Sequence, residues 1–444
     1  MFKRIFNIKL SSFRIMMIGF LAAILVGTIL LMLPVSSFSH EWTSLEDSFF
    51  TATSAVCVTG LVTLDTASYW SIFGQIIILI LIQIGGLGII SVIIFLASVS
   101  GKKISLLQRN LIQESISANQ VGGIVRRIRF IFKVAFLTET AGALLLLPPL
   151  CKAYGINGIW MAIFHSVSAF CNAGFDLFGS HSGSFSSLTS VAGKPEVLIP
   201  ISLLIIIGGI GFLTWEDFAD HKFHFKKYHM QSKTILIVSA ALILIPSIFF
   251  YISDFAGYET SERIFLSAFQ AITPRTAGFN SFDLNKMTSS GLALIILLML
   301  IGGSPGSTAG GMKTTTLAVW IANASALIHK RKNPILFGRR IEEQAVKSAA
   351  TILLMYTSAT FISAYLISNI ENLPFGVCIF ETASAIGTVG LTLGITPSLS
   401  TVSHLILTIL MFLGRMGGLT ILYAAADRNE IEISQYPTEK INVG

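Results

Sequence analysis

The sequence predicts an all-α polytopic membrane protein, built from four pseudo-symmetric repeats of helix, pore helix, filter loop and helix around one central pore. Three observations lead there: an apolar, charge-poor composition, basic residues gathered in five clusters, and a short glycine-tipped motif that occurs four times.

The 444 residues are 53% hydrophobic and only 12% charged, with a mean hydropathy of +0.76. Soluble domains carry about 25% charged residues, so most of this chain faces lipid or buried protein. Several apolar runs reach the roughly 20 residues that cross a bilayer core. Lys3, Arg4, Lys9 and Arg14 precede an apolar run at 15–33. That run has spanning length and no small-residue cleavage pattern, so it reads as a first transmembrane helix and not as a signal peptide. Cys57, Cys151, Cys171 and Cys378 lack zinc-site spacing and read as buried thiols.

Twenty-three of the 30 lysines and arginines lie in 1–14, 101–133, 222–233, 330–347 and the tail. By the positive-inside rule these clusters, and both termini, face the cytoplasm of a multi-pass plasma-membrane protein. The isoelectric point near 9.2 is therefore an orientation signal and not a nucleic-acid footprint. Between consecutive clusters the chain must leave and return, which takes two spans, yet each interval holds three helical segments. These are 15–33, 45–55 and 72–96; 131–147, 159–170 and 197–213; 235–252, 262–272 and 292 onward; then 349–367, 375–386 and 405–423. The middle segments are too short to span and suit re-entrant helices. The repeats are placed at 1–100, 101–221, 222–328 and 329–426, followed by a cytoplasmic tail at 427–444.

Each re-entrant segment runs into one glycine. The motifs are Ser54-Ala55-Val56-Cys57-Val58-Thr59-Gly60, Ser168-Ala169-Phe170-Cys171-Asn172-Ala173-Gly174, Thr273-Pro274-Arg275-Thr276-Ala277-Gly278-Phe279 and Ser384-Ala385-Ile386-Gly387-Thr388-Val389-Gly390. A second pattern keeps step with the first in the returning helices: Gly85-Gly86-Leu87-Gly88, Gly208-Gly209-Ile210-Gly211, Gly302-Gly303, and Gly414 with Gly417-Gly418. It is read as close packing of bent inner helices around a pore, compatible with ordinary small-residue helix packing.

Extended backbone at membrane depth survives only where it is buried or lines a wet cavity. A glycine there reaches backbone angles that aim its carbonyl at the axis. Each short helix also points its negative C-terminal end inward. Both effects favour a dehydrated cation, as in a ring of carbonyls that replaces a potassium ion's water shell. The expected donors are the carbonyls of Val58, Thr59 and Gly60; Asn172, Ala173 and Gly174; Thr276, Ala277 and Gly278; Thr388, Val389 and Gly390.

On these motifs, with Ile301-Gly302-Gly303-Ser304-Pro305-Gly306-Ser307-Thr308-Ala309-Gly310-Gly311, the chain resembles the Trk/Ktr/HKT superfamily of potassium transporters along essentially its whole length, and specifically the membrane subunit of bacterial Ktr systems. The resemblance implies one potassium filter formed by four loops and a homodimer with one pore per protomer. It also implies a separate cytoplasmic ring of nucleotide-binding subunits, so that any nucleotide is bound by the partner and not by this chain. No covalently bound cofactor is expected, and potassium is the substrate. Each loop carries one shared glycine, fewer than the filters of tetrameric potassium channels. In plant relatives a serine in the first loop accompanies sodium permeation, so Gly60 favours potassium.

The stretch Gly302, Gly303, Ser304, Pro305, Gly306, Ser307, Thr308, Ala309, Gly310, Gly311 should break a helix. Its residues alone fit either a gate or a packing kink; the resemblance implies a gate beneath the filter. Only this third returning helix is expected to carry such a break. Arg415 is placed near the middle of the last span, where a charge needs a partner or a wet cavity. It is read as a pore-facing cation holding the gate loop by its carbonyls, against the alternative of a packing arginine. Lys313 is either a similar cation or one that snorkels to the cytoplasmic side. Glu139 lies in apolar surroundings, Glu381 is expected at the start of a pore helix, and Arg275 adjoins the third filter loop as a brace.

Three rival readings compete with this one. An ATP-driven pump fails because Met312 intervenes before Lys313 in the only phosphate-loop-like run. A coupled organic-solute transporter would alternate the orientation of its repeats. A sodium-permeable or weakly selective cation pathway shares the same architecture. The basic loops and the tail are left as docking surface for the partner ring or for anionic membrane lipid.

Overall fold

The computed structural model describes residues 12–100 and 122–418, with isolated positions 105, 108, 109, 111, 113, 437 and 439. Lys3, Arg4, Lys9, Lys102, Lys103, Arg428 and Lys440, and most of the expected docking tail, lie outside the described residues.

Helices follow the predicted order. The first quarter of the chain holds α1 (Ser12–Met32), α2 (Leu45–Val56), α3 (Ile72–Leu87) and α4 (Ile89–Val99). The second holds α5 (Ile124–Tyr154), α6 (Asn157–Phe170), α7 (Pro195–Ile210) and α8 (Phe212–His221). The third holds α9 (Met230–Ile252), α10 (Thr260–Ile272), α11 (Ser289–Leu300) and α12 (Thr314–Ile328). The fourth holds α13 (Glu343–Glu371), α14 (Phe375–Gly387) and α15 (Thr401–Met416). A two-residue-per-strand ribbon, Ile335–Leu336 against Arg339–Arg340, closes the basic loop before α13.

Among the described residues four helices (Phe13–Met32, Ile124–Tyr154, Met230–Ile252 and Glu343–Glu371) are long and apolar enough to cross a membrane. Counting each of two bent pairs as one span gives six. The short helices α2, α6, α10 and α14 have 12 to 14 residues. At 1.5 Å per residue they cover about 20 Å, short of a hydrocarbon core of about 30 Å.

Local chemistry sets the helix starts. Ser44 caps α2 by accepting from the Asp47 amide at 3.0 Å, and Glu46 and Asp47 occupy the first turn, where carboxylates suit the helix dipole. Ser71 and Thr288 cap α3 and α11 in the same way, accepting from Gly74 and Gly291. Each long helix packs on the short helix that follows it: α1 on α2, α5 on α6, α9 on α10 and α13 on α14. The returning helices close the circle. Helix α3 contacts α2 and α6, α7 contacts α6 and α10, α11 contacts α14, and α15 contacts α14 and α2.

The second glycine pattern has a direct cause. A Cβ on Gly85, Gly208 or Gly414 would stand 2.0, 2.0 and 2.1 Å from the carbonyl oxygens of Val56, Phe170 and Ile386. Each of these carbonyls lies four residues before a motif glycine. The returning backbone therefore lies directly against the end of its own short helix, and only hydrogen fits between. The third copy differs, because a Cβ on Gly302 would meet Gly310 O of its own loop at 2.4 Å.

Four expectations need correction. The returning helices predicted as single segments at 72–96 and 197–213 are broken: α3 and α4 meet at 94° about Gly88, and α7 and α8 at 95° about Gly211. Gly88, Gly211 and Gly417 have φ of 83°, 101° and 80°, outside helical space for other residues. The break in the third returning helix is thus not a lone exception. Arg415 occupies the last turn of α15 and not a mid-span position, because that helix stops at Met416. Glu381 is the seventh residue of α14, so a carboxylate on the helix dipole does not explain it.

Candidate functional site

The short helices end abruptly, and the way they end builds the site. In all four copies a 6→1 backbone bond closes the helix: Thr59 N to Ser54 O, Ala173 N to Ser168 O and Val389 N to Ser384 O, each 2.8 Å, and Gly278 N to Thr273 O at 3.3 Å. This is the Schellman arrangement, which needs a left-handed residue just past the helix and normally takes glycine there. Here that residue is Val58, Asn172 or Thr388, with φ of 56°, 57° and 50°. Thr276, at φ 77°, takes the same place in the third copy, where Ala277 N donates to Thr273 O at 2.9 Å. A left-handed β-branched residue is a genuine outlier, and such strain gathers at functional sites. Two residues later the motif glycine turns left-handed again: Gly60 93°, Gly174 71°, Gly278 76° and Gly390 93°.

These turns bring the four loops into one closed ring. A Cβ on Gly60 would meet Ala173 O, on Gly174 Ala277 O, on Gly278 Val389 O, and on Gly390 Thr59 O. Each loop touches the next in chain order, and the fourth touches the first. Val58, Thr59, Asn172, Ala173, Thr276, Ala277, Thr388 and Val389 are at most 1% exposed. Among the described residues none of the twelve expected carbonyls, from Val58–Gly60 to Thr388–Gly390 in their four sets, accepts a hydrogen bond. Buried carbonyls without a donor are uncommon in folded proteins, and twelve on one ring form a strongly electronegative locus.

Hydroxyls hold the ring from behind. Ser54 and Ser384 accept from the Gly60 and Gly390 amides at 3.0 and 3.1 Å. Ser168 and Thr273 donate to Phe175 O and Phe279 O, each 2.7 Å. These four residues open the repeated motifs in the sequence, where the regular hydroxyl at the first position was the signal for them.

One face of the ring opens to a cavity of about 210 Å³ lined by all four motif glycines together with Asp65, Asp176 and Asp283. The segment Ile301–Met312, whose ends pair as an isolated parallel bridge, crosses the other face. Ser304 N and Thr308 N bond Gly209 O and Gly208 O at 3.0 and 3.3 Å, and Gly311 N bonds Gly414 O at 3.2 Å. Thr308 Oγ1 donates to Phe170 O at 2.9 Å and accepts from the Asn172 amide group at 3.0 Å. A Cβ on Gly310 would collide with the Thr388 side chain at 2.2 Å. The loop therefore lies directly against the Asn172 and Thr388 side chains of the ring.

Two cations secure it. Arg415 donates to Thr308 O and Gly85 O, and to Gly86 O at 3.0 Å. Lys313 Nζ donates to Ala309 O and Gly310 O at 2.9 and 3.2 Å, so it binds the loop and does not snorkel. Beyond the loop a second cavity of about 250 Å³ is lined by Gly306, Ser307, Ala309, Gly311, Lys313 and Arg415. Arg275 ties the third motif to α9 through Ser239 Oγ at 3.1 Å. Glu139 accepts from Gln83 at 2.9 Å, and Gln83 Oε1 accepts from Cys171 Sγ of the second motif at 3.5 Å. All four cysteines are free.

A mostly helical membrane protein with a closed loop ring between two cavities belongs to the class of transmembrane cation transporters, and comparison with known proteins fixes the family. Residues 11–432 match the TrkH family, described as cation transport proteins. This chain belongs to that family, whose members are transporters and not enzymes. It is 38% identical to the potassium/sodium uptake protein NtpJ of Enterococcus hirae, covering 98% of both chains. It is 35% identical to the Ktr system potassium uptake protein B of Bacillus subtilis, again over 98% of both. The crystal structure of the potassium transporter TrkH from Vibrio parahaemolyticus superposes with a TM-score of 0.73, at 18% identity, over 95% of this chain and 86% of that one.

Proposed function

We propose that this chain conducts potassium into the cell through the glycine-loop ring, acting as the membrane subunit of a Ktr-type system. The ring of twelve buried, donor-free carbonyls carries the reading. A dehydrated monovalent cation is the ligand such a set can satisfy, with the short-helix C-termini adding negative potential. A divalent ion holds its water far more tightly and favours carboxylate ligands, which the ring lacks. Potassium is the substrate here and not a resident cofactor.

The loop from Gly302 to Gly311 is the gate in this reading. It separates the two cavities, and Arg415 and Lys313 hold it by its carbonyls. The basic clusters support an orientation with the loop side in the cytoplasm and the three aspartates outside. The sequence resemblance supports a homodimer and a regulatory nucleotide-binding ring docked on the basic surface, and the likeness to a Ktr system protein supports a partner subunit. Sodium permeation on the same architecture is the second reading, favoured by the likeness to the potassium/sodium uptake protein.

Potassium uptake in cells stripped of their own uptake systems tests this, with and without external sodium and with a Ktr-type partner supplied. Restored growth at low potassium is expected. No uptake despite membrane expression would refute the assignment, and sodium uptake without potassium preference would favour the second reading.

A further inference from the structure

Behind the ring, one position on each short helix carries a buried polar side chain three residues before the motif hydroxyl. The four are Thr51, His165, Gln270 and Glu381, all fully buried. They share a position but not a task. Glu381 Oε1 accepts from Thr392 Oγ1 at 2.6 Å and from Thr396 Oγ1, both on the chain leaving Gly390. His165 Nε2 accepts from Leu177 N at 3.1 Å, on the chain leaving Gly174, while Nδ1 binds Met161 O at 2.6 Å. Thr51 Oγ1 and both amide atoms of Gln270 have no hydrogen-bond partner among the described residues. Thr63 Oγ1 and Ser281 Oγ, three residues beyond Gly60 and Gly278, likewise have none.

Ring order makes this pattern meaningful. Each motif glycine stands against the next loop in chain order, and the fourth against the first, so the second and fourth loops face one another across the axis. We propose that His165 and Glu381 are positioning residues that clamp one diagonal of the filter, while Thr51 and Gln270 leave the other diagonal compliant. Each clamp ties the rigid short helix to the strand just past the motif glycine. It thereby fixes the carbonyls of 172–174 and 388–390 from within their own repeats, whereas those of 58–60 and 276–278 receive no such tie from Thr51 and Gln270. The strand beyond Gly278 is held instead by the neighbouring loop, with Asn280 N donating to Ser187 Oγ at 3.1 Å and Leu188 N to Asn280 O at 2.9 Å. The fourth clamp extends further: Thr396 O binds His404 Nε2 at 2.8 Å, and His404 Nδ1 meets Glu46 Oε1 at 2.6 Å on α2. Potassium is then discriminated mainly by the stiff pair, since a carbonyl free to follow a smaller ion stops rejecting it.

This rests on the filter reading above, so the test carries its own control. Uptake of potassium against sodium, with KM and maximal rate taken separately, is measured in Glu381→Leu, Glu381→Gln, Thr392→Val, His165→Leu, Thr51→Val, Gln270→Leu and Gly390→Ala. Loss of hydrogen bonds to a buried group should cost Glu381→Leu and His165→Leu about tenfold in selectivity. Glu381→Gln, which keeps the acceptor, should recover most of it. Thr392→Val should reproduce part of the Glu381→Leu effect without adding to it, and carries the test if Glu381→Leu fails to assemble. Thr51→Val and Gln270→Leu should stay within about twofold of the parent, the scale of surface-like changes. Equal losses at all four positions, or none at Glu381 and His165 while Gly390→Ala loses selectivity, would overturn the clamp. If Gly390→Ala also retains selectivity, the filter reading itself fails.

Discussion

Replacing each motif glycine by alanine gives a graded test of the ring. The added Cβ would stand 2.0 Å from the neighbouring carbonyl at Gly278, 2.2 Å at Gly390, 2.5 Å at Gly60 and 2.8 Å at Gly174. A carbon-to-carbonyl contact relaxes at about 3.3 Å, leaving shortfalls of roughly 1.3, 1.1, 0.8 and 0.5 Å in that order. The left-handed backbone costs alanine about 1–2 kcal/mol at every site, so it does not alter the ranking. Overpacking adds about 1–3 kcal/mol, the steeper end falling on Gly278 and Gly390. Because about 1.4 kcal/mol is a factor of ten, these two variants should lose ten-fold or more of potassium-over-sodium preference. Gly60→Ala should be intermediate and Gly174→Ala should lose a few-fold. The assay is tracer rubidium uptake into cells against rising sodium, normalised to protein in the membrane. A reversed order, with Gly174→Ala the most damaging, would refute the ring geometry, as would four silent substitutions.

Three further outcomes follow from the same contacts. Gly85→Ala, Gly208→Ala and Gly414→Ala push a returning helix off its short helix, and each should lower the melting temperature in detergent by several degrees, for about 1–3 kcal/mol of overpacking. Arg415→Gln removes the cation bonded to the Thr308, Gly85 and Gly86 carbonyls, so maximal uptake should rise several-fold with little change in KM; unchanged flux would count against a gate. Asp176 lies beyond the spanning segments and lines the outer cavity; burial, helped by Asp65, pushes its carboxyl from 3.8 up to about 6. A carboxyl raised in the folded state favours folding while protonated, so its contribution is lost as pH climbs from about 4 to 6. Uptake should increase as external pH rises through about 6 and the vestibule gains charge, and Asp176→Asn should flatten both profiles.

Much of this was legible in the chain because membranes leave few choices. Lipid satisfies no backbone polar group, so apolar length, basic clusters and four short segments sufficed to name the architecture and its ring of glycines. The glycine and proline content of 302–311 marked the break there, and the family resemblance added the expectation of a gate. Residue types also marked Arg415 as a cation needing partners in an apolar segment. Those signals are local, and they survive in one dimension.

Other features depend on what stands opposite. Val58, Thr276 and Thr388 read as ordinary β-branched residues, and only the folded chain shows them held left-handed so that the helix stops and the carbonyls remain unpaired. The inner glycines looked like generic small-residue packing until Val56, Phe170 and Ile386 carbonyls were found against three of them. Glu381 lies mid-helix and not at a helix start, and its partners, Thr392 and Thr396, lie beyond the Gly390 turn. The sequence by itself determined a fourfold membrane ring and its backbone chemistry, through composition and periodicity. The tertiary structure decided which carbonyls lack donors, which loop lies against them and which diagonal is clamped, because hydrogen-bond partners are chosen by distance in space and not along the chain.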